Sequence, residues 1–415
     1  MNVLIPRGLA HSAPEVRGAA INALCYFSEH LIPDIFDFHA VIIPALLGHT
    51  GDLSTKVVGK ALIAIDVFFD GMEQEDIIQY LPAAIPRLIE VLGSSTATPL
   101  MKAASISAIG SAVFVSEQKF EPFLQSVIPV CQYLLKLPPS PEMNTVRAEN
   151  LNVLGKLANV FCKPEYANHQ AFYETYIMGT MQEVYRLLAA EQDPEIRESA
   201  FAFFYLIANA IGTRFEIVFD NLIPIVIAAC QPKEDPAKKK DFSLDSDSED
   251  EEQVNVSTQK VTEQDEKAAA IHALGEFAKA CPLKFTPYYE EAYRLLEEHY
   301  QHFYENIRIQ VCHCYTNLTI GLVKSRNNGS VPPIKKGLPC AVRYPQPLEE
   351  HFRTVIVPRL LTIMTEDDDN KVRGAAVESI DDLVKELGPA FIDRNITPLS
   401  EAIMKLLEAE VDQDD

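Results

Sequence analysis

The sequence predicts an all-α chain, a stack of antiparallel helix pairs with no sheet. Three observations predict it. First, Asn370–Leu387 reads as one amphipathic helix. Val372, Ala376, Val377, Ile380, Leu383, Val384 and Leu387 recur at spacings of three and four and share a face, while Glu378, Asp382 and Lys385 share another. Asp367, Asp368 and Asp369 supply the negative charge that a helix start favours. A second apolar helix, His351–Met364, precedes it and is interrupted by Pro358. Such a hairpin cannot bury both apolar faces alone, so it needs copies of itself.

Second, the copies are present. With Arg373 as position zero, the matching positions are Arg17, Val58, Lys102, Arg147, Arg197, Lys267 and Arg308. At plus four stand Ile21, Leu62, Ile106, Leu151, Phe201, Ile271, Cys312 and Val377. At plus seven stand Leu24, Ile65, Ile109, Leu154, Phe204, Leu274, Tyr315 and Ile380. At plus ten stand Phe27, Phe68, Ala112, Leu157, Ile207, Phe277, Leu318 and Leu383. Third, the anchors are spaced 41, 44, 45, 50, 70, 41 and 65 residues apart. Two helices every 40–47 residues or so is the period of a HEAT-repeat α-solenoid, a superhelix of antiparallel helix pairs. The two long gaps must hold insertions.

In chain order the repeats are Met1–Leu31, Phe38–Gly71, Ile77–Glu117, Glu121–Lys163, Gln170–Arg214, one from Phe215 that breaks after Cys230 and resumes at Gln264, Pro287–Lys324 and Leu348–Ile392. Most carry a proline in the first helix: Pro6, Pro44, Pro86, Pro129, Pro224 and Pro358. A last helix, Ile396–Glu410, lacks a following partner. Residues 1–415 thus read as a single solenoid segment of about eight repeats plus a partial one, part of a longer protein. The first insertion, residues 231–263, opens with Lys238, Lys239 and Lys240 and then carries seven acids and no base from Asp241 to Glu252. With so little to bury, it is expected to be disordered. The second, residues 325–347, is rich in proline and glycine and carries Arg326, Lys335, Lys336 and Arg343.

The net charge of −23 repels nucleic acid and attracts basic partners, so no direct nucleic-acid contact is expected. Eight cysteines without paired spacing suit a reducing compartment. No signal peptide is recognisable and no apolar run reaches the roughly 18 residues of a membrane span, so no membrane insertion is expected. Phosphate-binding glycine loops, HExxH, CxxC and GxSxG are absent, which argues against an enzyme, a resident metal or a cofactor. His299 and His302 read as solvated surface residues, and Cys312 of Cys312-His313-Cys314 as core packing.

What remains is surface. The second helices carry polar residues at plus five, nine and twelve, among them Asn22, Glu29, Asp70, Lys156, Asn152, Asn159, Asn209, Glu276, Glu378 and Asp382. Stacked repeats align such positions into a concave face that binds extended ligands. Asn152, Asn159, Asn209, Glu276, Glu378 and Asp382 are therefore candidate cargo contacts. Asp245, Asp247, Glu249, Asp250, Glu251 and Glu252 form a polyanion able to attract basic cargo. Ser246 and Ser248 each have a glutamate three residues on, a spacing suited to acid-directed phosphorylation.

The motifs LIPRGLAH, VIIPALLG, VIPVCQYLL and VIVPRLLTIM, with VRGAA-like second helices, resemble the importin-beta (karyopherin-beta) transport receptors. The acidic insertion followed by DEKAAAIHALGEFAKAC, Asp265–Cys281, is the most specific part of that resemblance. It implies a nuclear import receptor shuttling between cytoplasm and nucleus. It implies basic cargo such as core histones and ribosomal proteins, with Ran-GTP and phenylalanine-glycine nucleoporins as further partners. The competing expectation is a static HEAT-repeat scaffold subunit of a phosphatase, translation-control or kinase complex.

Overall fold

The computed structural model describes residues 4–231, 262–334, 344–392 and 395–411, with side chains in the last segment as far as residue 405. Among the described residues every regular element is helical, and the all-α HEAT-repeat fold is as expected. In chain order the helices are α1 (Pro14–His30), α2 (His39–His49), α3 (Thr55–Gly71), α4 (Gln74–Ile77), α5 (Leu81–Gly93) and α6 (Pro99–Ser116). Then come α7 (Leu124–Leu135), α8 (Asn144–Phe161), α9 (His169–Phe172), α10 (Met178–Ala190), α11 (Pro194–Ile211) and α12 (Glu216–Cys230). The last are α13 (Glu263–Ala280), α14 (Tyr289–His299), α15 (Glu305–Arg326), α16 (Gln346–His351), α17 (Val357–Glu366), α18 (Asn370–Leu387) and α19 (Ile396–Val411).

The helix starts follow from local chemistry. Asp369 caps α18, its Oδ1 accepting the backbone N–H groups of Lys371 and Val372 at 2.7 and 3.3 Å. Thr262 and Asp265 form a reciprocal capping box at the start of α13. Pro44, Pro86, Pro129 and Pro224 sit inside first helices, where each removes one backbone donor. Pro358 instead lies in the opening turn of α17, directly after the widened turn Phe352–Ile356.

The contacts divide the chain into two compact units, the first running to Ala210 and the second beginning at Ile211. In the first, α1 packs on α3, α3 on α6 and α6 on α8, with α2, α5 and α7 against α3, α6 and α8. In the second, α13 packs on α15 and α15 on α18, with α12, α14 and α17 against α13, α15 and α18. Second helices thus stack on second helices. The three apolar columns are buried throughout, except that Phe27 is half-buried and Val377 is 39 % exposed. In α18 the neighbouring Ala376 takes the buried position instead. Close approach is built in at plus eight. A Cβ on Gly275 would meet the Cys314 backbone at 3.0 Å, and one on Gly155 the Phe203 backbone at 3.1 Å.

Position zero has its own role. Arg17 makes a two-point ion pair with Asp52 at 2.7 and 2.8 Å, and Arg308 makes the same pair with Asp367 at 2.8 and 3.0 Å. Arg147 reaches Glu191 at 3.2 Å. In each case the acid stands six residues before position zero of the following repeat. Arg17 and Arg308 also donate to the His11 and His302 carbonyls, six residues before themselves.

The expectation of no apolar run is corrected in one place. Pro99–Leu135 contains an 18-residue window apolar enough for a span by composition, but 67 % of that window is buried, as in the core helix of a soluble protein.

Two outcomes test this packing. Leu154→Ala should cost about 2–5 kcal/mol, as large-to-small core changes do. Asn152→Ala, two residues away on the polar face, should cost less than about 0.5 kcal/mol in the same denaturant series; equal losses would reject the register. The Arg17 guanidinium holds the Asp52 carboxyl down to about 2. A depressed carboxyl contributes its stability in full above its unfolded value near 4 and loses it as pH falls through 2. Melting temperatures between pH 6 and 2 should therefore fall less for Asp52→Asn than for the unaltered chain.

Candidate functional site

The candidate site lies on the second-helix faces that neither the first helix nor the neighbouring repeat covers. In the second unit α13, α15 and α18 lie side by side. Their plus-five and plus-nine positions align as the repeat register requires. At plus nine, Asn317 Nδ2 donates to Glu276 Oε1 at 2.7 Å. At plus five, the His272 and His313 rings stand edge to face at 6.4 Å. His272 Nδ1 contacts Gln310 Oε1 at 2.7 Å, and Gln310 Nε2 donates to Asn306 Oδ1 at 3.2 Å.

His313 is the centre of this patch. Burial, and then His272, push its imidazole below the ordinary range, whereas Glu378, Asp382 and Glu276 act in the opposite direction. Three of the anticipated contacts, Glu276, Glu378 and Asp382, therefore converge electrostatically on one ring. None of the three is in an ion pair among the described residues. Glu378 and Asp382 are exposed and Glu276 is half-buried. Lys324 and Lys385 feel Glu276 and Asp382 only at longer range, so the carboxylates remain complementary to further lysine and arginine side chains.

The first unit holds a different patch on α3, α6 and α8. Asp66 accepts the Ser111 hydroxyl at 2.7 Å, and burial raises its carboxyl. Glu149, raised for the same reason, has only a long contact from Asn152 Nδ2 at 3.4 Å. Asn159 Oδ1 is buried without a hydrogen-bond partner, and Asn209 is exposed on α11. The helix periodicity singled out Asn152 and Asn159 but missed Asp66 and Glu149, which stand at plus eight and plus two. Their recessed positions come from the way α3, α6 and α8 pack, which the pattern along one helix does not carry.

Asp245, Asp247, Glu249, Asp250, Glu251, Glu252, Ser246 and Ser248 lie outside the described residues, as do residues 232–261 of the first insertion and 335–343 of the second. The reading of His299 and His302 as solvated is corrected. Both are buried, His299 Nε2 lies 2.7 Å from the Cys230 carbonyl, and His302 stacks on Phe303. His299 thus meets the carbonyl at the C-terminal end of α12, where a ring N–H finds an acceptor. Cys312 and Cys314 are both buried, and among the described residues no His, Cys, Asp and Glu cluster could hold a metal. An open cleft of about 420 Å³ is lined by Tyr300, His302, Phe303, Arg308 and Asp367. Its one strong charge pair, Arg308 with Asp367, is already mutually satisfied.

Consecutive helix pairs with an aligned polar stripe define a HEAT-repeat solenoid segment. No family model matches the chain. The chain is 26 % identical over 367 residues to the probable importin subunit beta-4 of Schizosaccharomyces pombe, covering 85 % of this chain and 33 % of that protein. Its fold matches the crystal structure of Kap121p bound to Pho4p with a TM-score of 0.68 at 14 % identity, over all of this chain and 38 % of that one. Kap121p bound to the SUMO protease Ulp1p matches with a TM-score of 0.67, also at 14 % identity and over 37 % of that chain. The chain therefore spans about a third of the length of its curated relative. The sequence match supports the importin-beta family for this chain, and the structural matches the HEAT-repeat fold of the karyopherins.

The patch around His313 makes a direct prediction. Followed by NMR, the His313 ring should titrate below the ordinary value near 6.5. Glu378→Gln with Asp382→Asn should lower it further, because both carboxylates favour the charged ring. A value above 6.5, or no response to the pair of substitutions, would contradict the packing described.

Proposed function

We propose that this chain is a segment of a nuclear import receptor that binds basic protein segments along its second-helix stripe. The observation that carries the reading is the convergence of Glu276, Glu378 and Asp382 on one patch, none of them in an ion pair among the described residues. The Kap121p structures support the class of ligand, since they hold proteins such as Pho4p and Ulp1p. Within this reading Asn152, Asn159, Asn209, Glu276, Glu378 and Asp382 contact cargo. The acids Asp245, Asp247 and Glu249 to Glu252 raise the encounter rate through long-range attraction. Lysine-rich proteins such as core histones and ribosomal proteins fit that chemistry. Phosphorylation of Ser246 and Ser248 would add about −1.5 to −2 charge at each site and strengthen the same attraction. Ran-GTP as the releasing partner, phenylalanine-glycine nucleoporins as the pore contacts and shuttling between cytoplasm and nucleus complete the proposal. No step of it requires catalysis.

The test is affinity capture from cell extract by the full-length protein, with and without GTP-locked Ran. Lysine-rich proteins should be retained alone and released when Ran is added. Glu378→Gln with Asp382→Asn should shorten the lifetime of the captured complex, because short-range contacts act on dissociation. Retention that is indifferent to both Ran and the substitutions would favour a static scaffold and overturn the proposal.

A further inference from the structure

The first unit contains a chemically distinct feature, a half-exposed aromatic ring under a lysine whose charge also acts on two recessed carboxylates. Phe114 on α6 is 52 % exposed, although Ile109, Ala112 and Val113 around it on the same helix are fully buried. It stands at plus twelve, on the polar stripe, where no apolar partner covers it. The Nζ of Lys156, on the adjacent α8, lies over this ring, 5.8 Å from its centroid. A cation in that position is attracted by the negative face of the ring. The lysine stem is accommodated by Gly110, one turn before Phe114. A Cβ there would meet Val153 Cγ2 at 3.0 Å and stand in ordinary contact with Lys156 Nζ at 3.5 Å.

The charges around the ring do not balance. Lys156 makes no ion pair among the described residues and acts on Asp66 and Glu149 only at longer range. Asp66 has the Ser111 hydroxyl, and Glu149 has the long Asn152 contact. Two recessed carboxylates therefore face one ammonium on a flexible stem, held by a ring rather than by either acid.

We propose that Phe114, with Asp66 and Glu149, is a seat for one lysine side chain of a bound segment, and that Lys156 is its internal competitor. The ring supplies the platform and the carboxylates the counter-charge. The incoming ammonium displaces Lys156 from the ring and takes over its longer-range attraction to the two acids. The proposal rests on the reading of the stripe as a binder of basic segments and assigns to it a specific lysine subsite. It also implies self-restraint: until a ligand arrives, the protein's own lysine occupies the ring.

The experiment titrates a fluorescent lysine–glycine peptide into the full chain and into Phe114→Leu, Phe114→Tyr and Lys156→Met. Phe114 is half exposed, so its replacement leaves the core intact, and circular dichroism melts confirm folding of each variant. Phe114→Leu should weaken binding about threefold and Phe114→Tyr should not, the scale of one exposed cation–aromatic contact. Lys156→Met should tighten binding by about the same factor, since it removes the competitor. A peptide carrying trimethyl-lysine should keep its sensitivity to Phe114→Leu, because a ring holds a quaternary cation that cannot donate hydrogen bonds. Binding that is unchanged by Phe114→Leu, or weakened by Lys156→Met, would overturn the seat while leaving the import reading in place. A peptide that fails to bind any form of the protein would overturn both.

Discussion

The contact on which the structure depends is the packing of each second helix on the second helix before it. The columns at plus four, seven and ten bury nearly all their members, Phe68, Phe201, Phe204, Phe277 and Tyr315 among them. Each second helix is thus covered by its first helix on one side and by neighbouring second helices on others. Only a narrow strip of its circumference is left for water. Glycines at plus eight let adjacent backbones approach, and the arginines at position zero fix how far along its axis each helix sits. A slip of one turn, about 5.4 Å, would break the two-point pairs of Arg17 and Arg308 outright. Packing supplies the affinity between repeats, and the ion pairs supply the register.

That register determines what the strip can do. Residues at the same repeat position become neighbours across helices, so chemistry written once per repeat is read out as a row. The hydrogen bond between Glu276 and Asn317 joins two plus-nine positions 41 residues apart. The row also carries an energetic cost. Carboxylates such as Asp66 and Glu149 are drawn into recesses where burial disfavours their charge, and no internal salt bridge offsets the penalty. Under the proposed reading an arriving cation would lower that penalty, so part of the binding free energy would be relief of a cost the free protein already holds.

Most of this fold was legible in the sequence because the repeat multiplies a weak pattern. One amphipathic helix says little, but eight aligned helices with the same three apolar columns identify both the period and the buried face. The exceptions have physical reasons. Val377 fits the column by type, yet no further second helix stacks on α18 among the described residues, so that side of the helix stays open. His299 and His302 looked like surface residues because their polarity outweighed their position. His299 meets the Cys230 carbonyl, 69 residues away in sequence, and His302 stacks on Phe303. The acids six residues before position zero were present in the sequence as Asp52, Glu191 and Asp367. Their pairing to the preceding repeat emerges only when two repeats are placed side by side. Phe114 and Lys156 fell on stripe positions, but a stripe defined by polarity passes over a phenylalanine.

The geometry of a stacked stripe also limits what it recognises. Packed helices lie about 8–10 Å apart, whereas side chains on the same face of an extended segment recur every 6.6–7 Å or so. The two periods do not match, so a ligand running across the second helices cannot place one side chain on every repeat. Contacts must be sparse, and most repeats act as spacers whose polar residues tolerate whatever lies above them. Specificity then resides in the few repeats whose stripe departs from ordinary polar residues. In the first unit that departure is a ring with a lysine upon it, and in the second it is a half-buried imidazole facing carboxylates that are in no ion pair among the described residues. Under the proposed reading, two chemically different stations in otherwise repetitive units would let the chain distinguish one lysine-rich sequence from another.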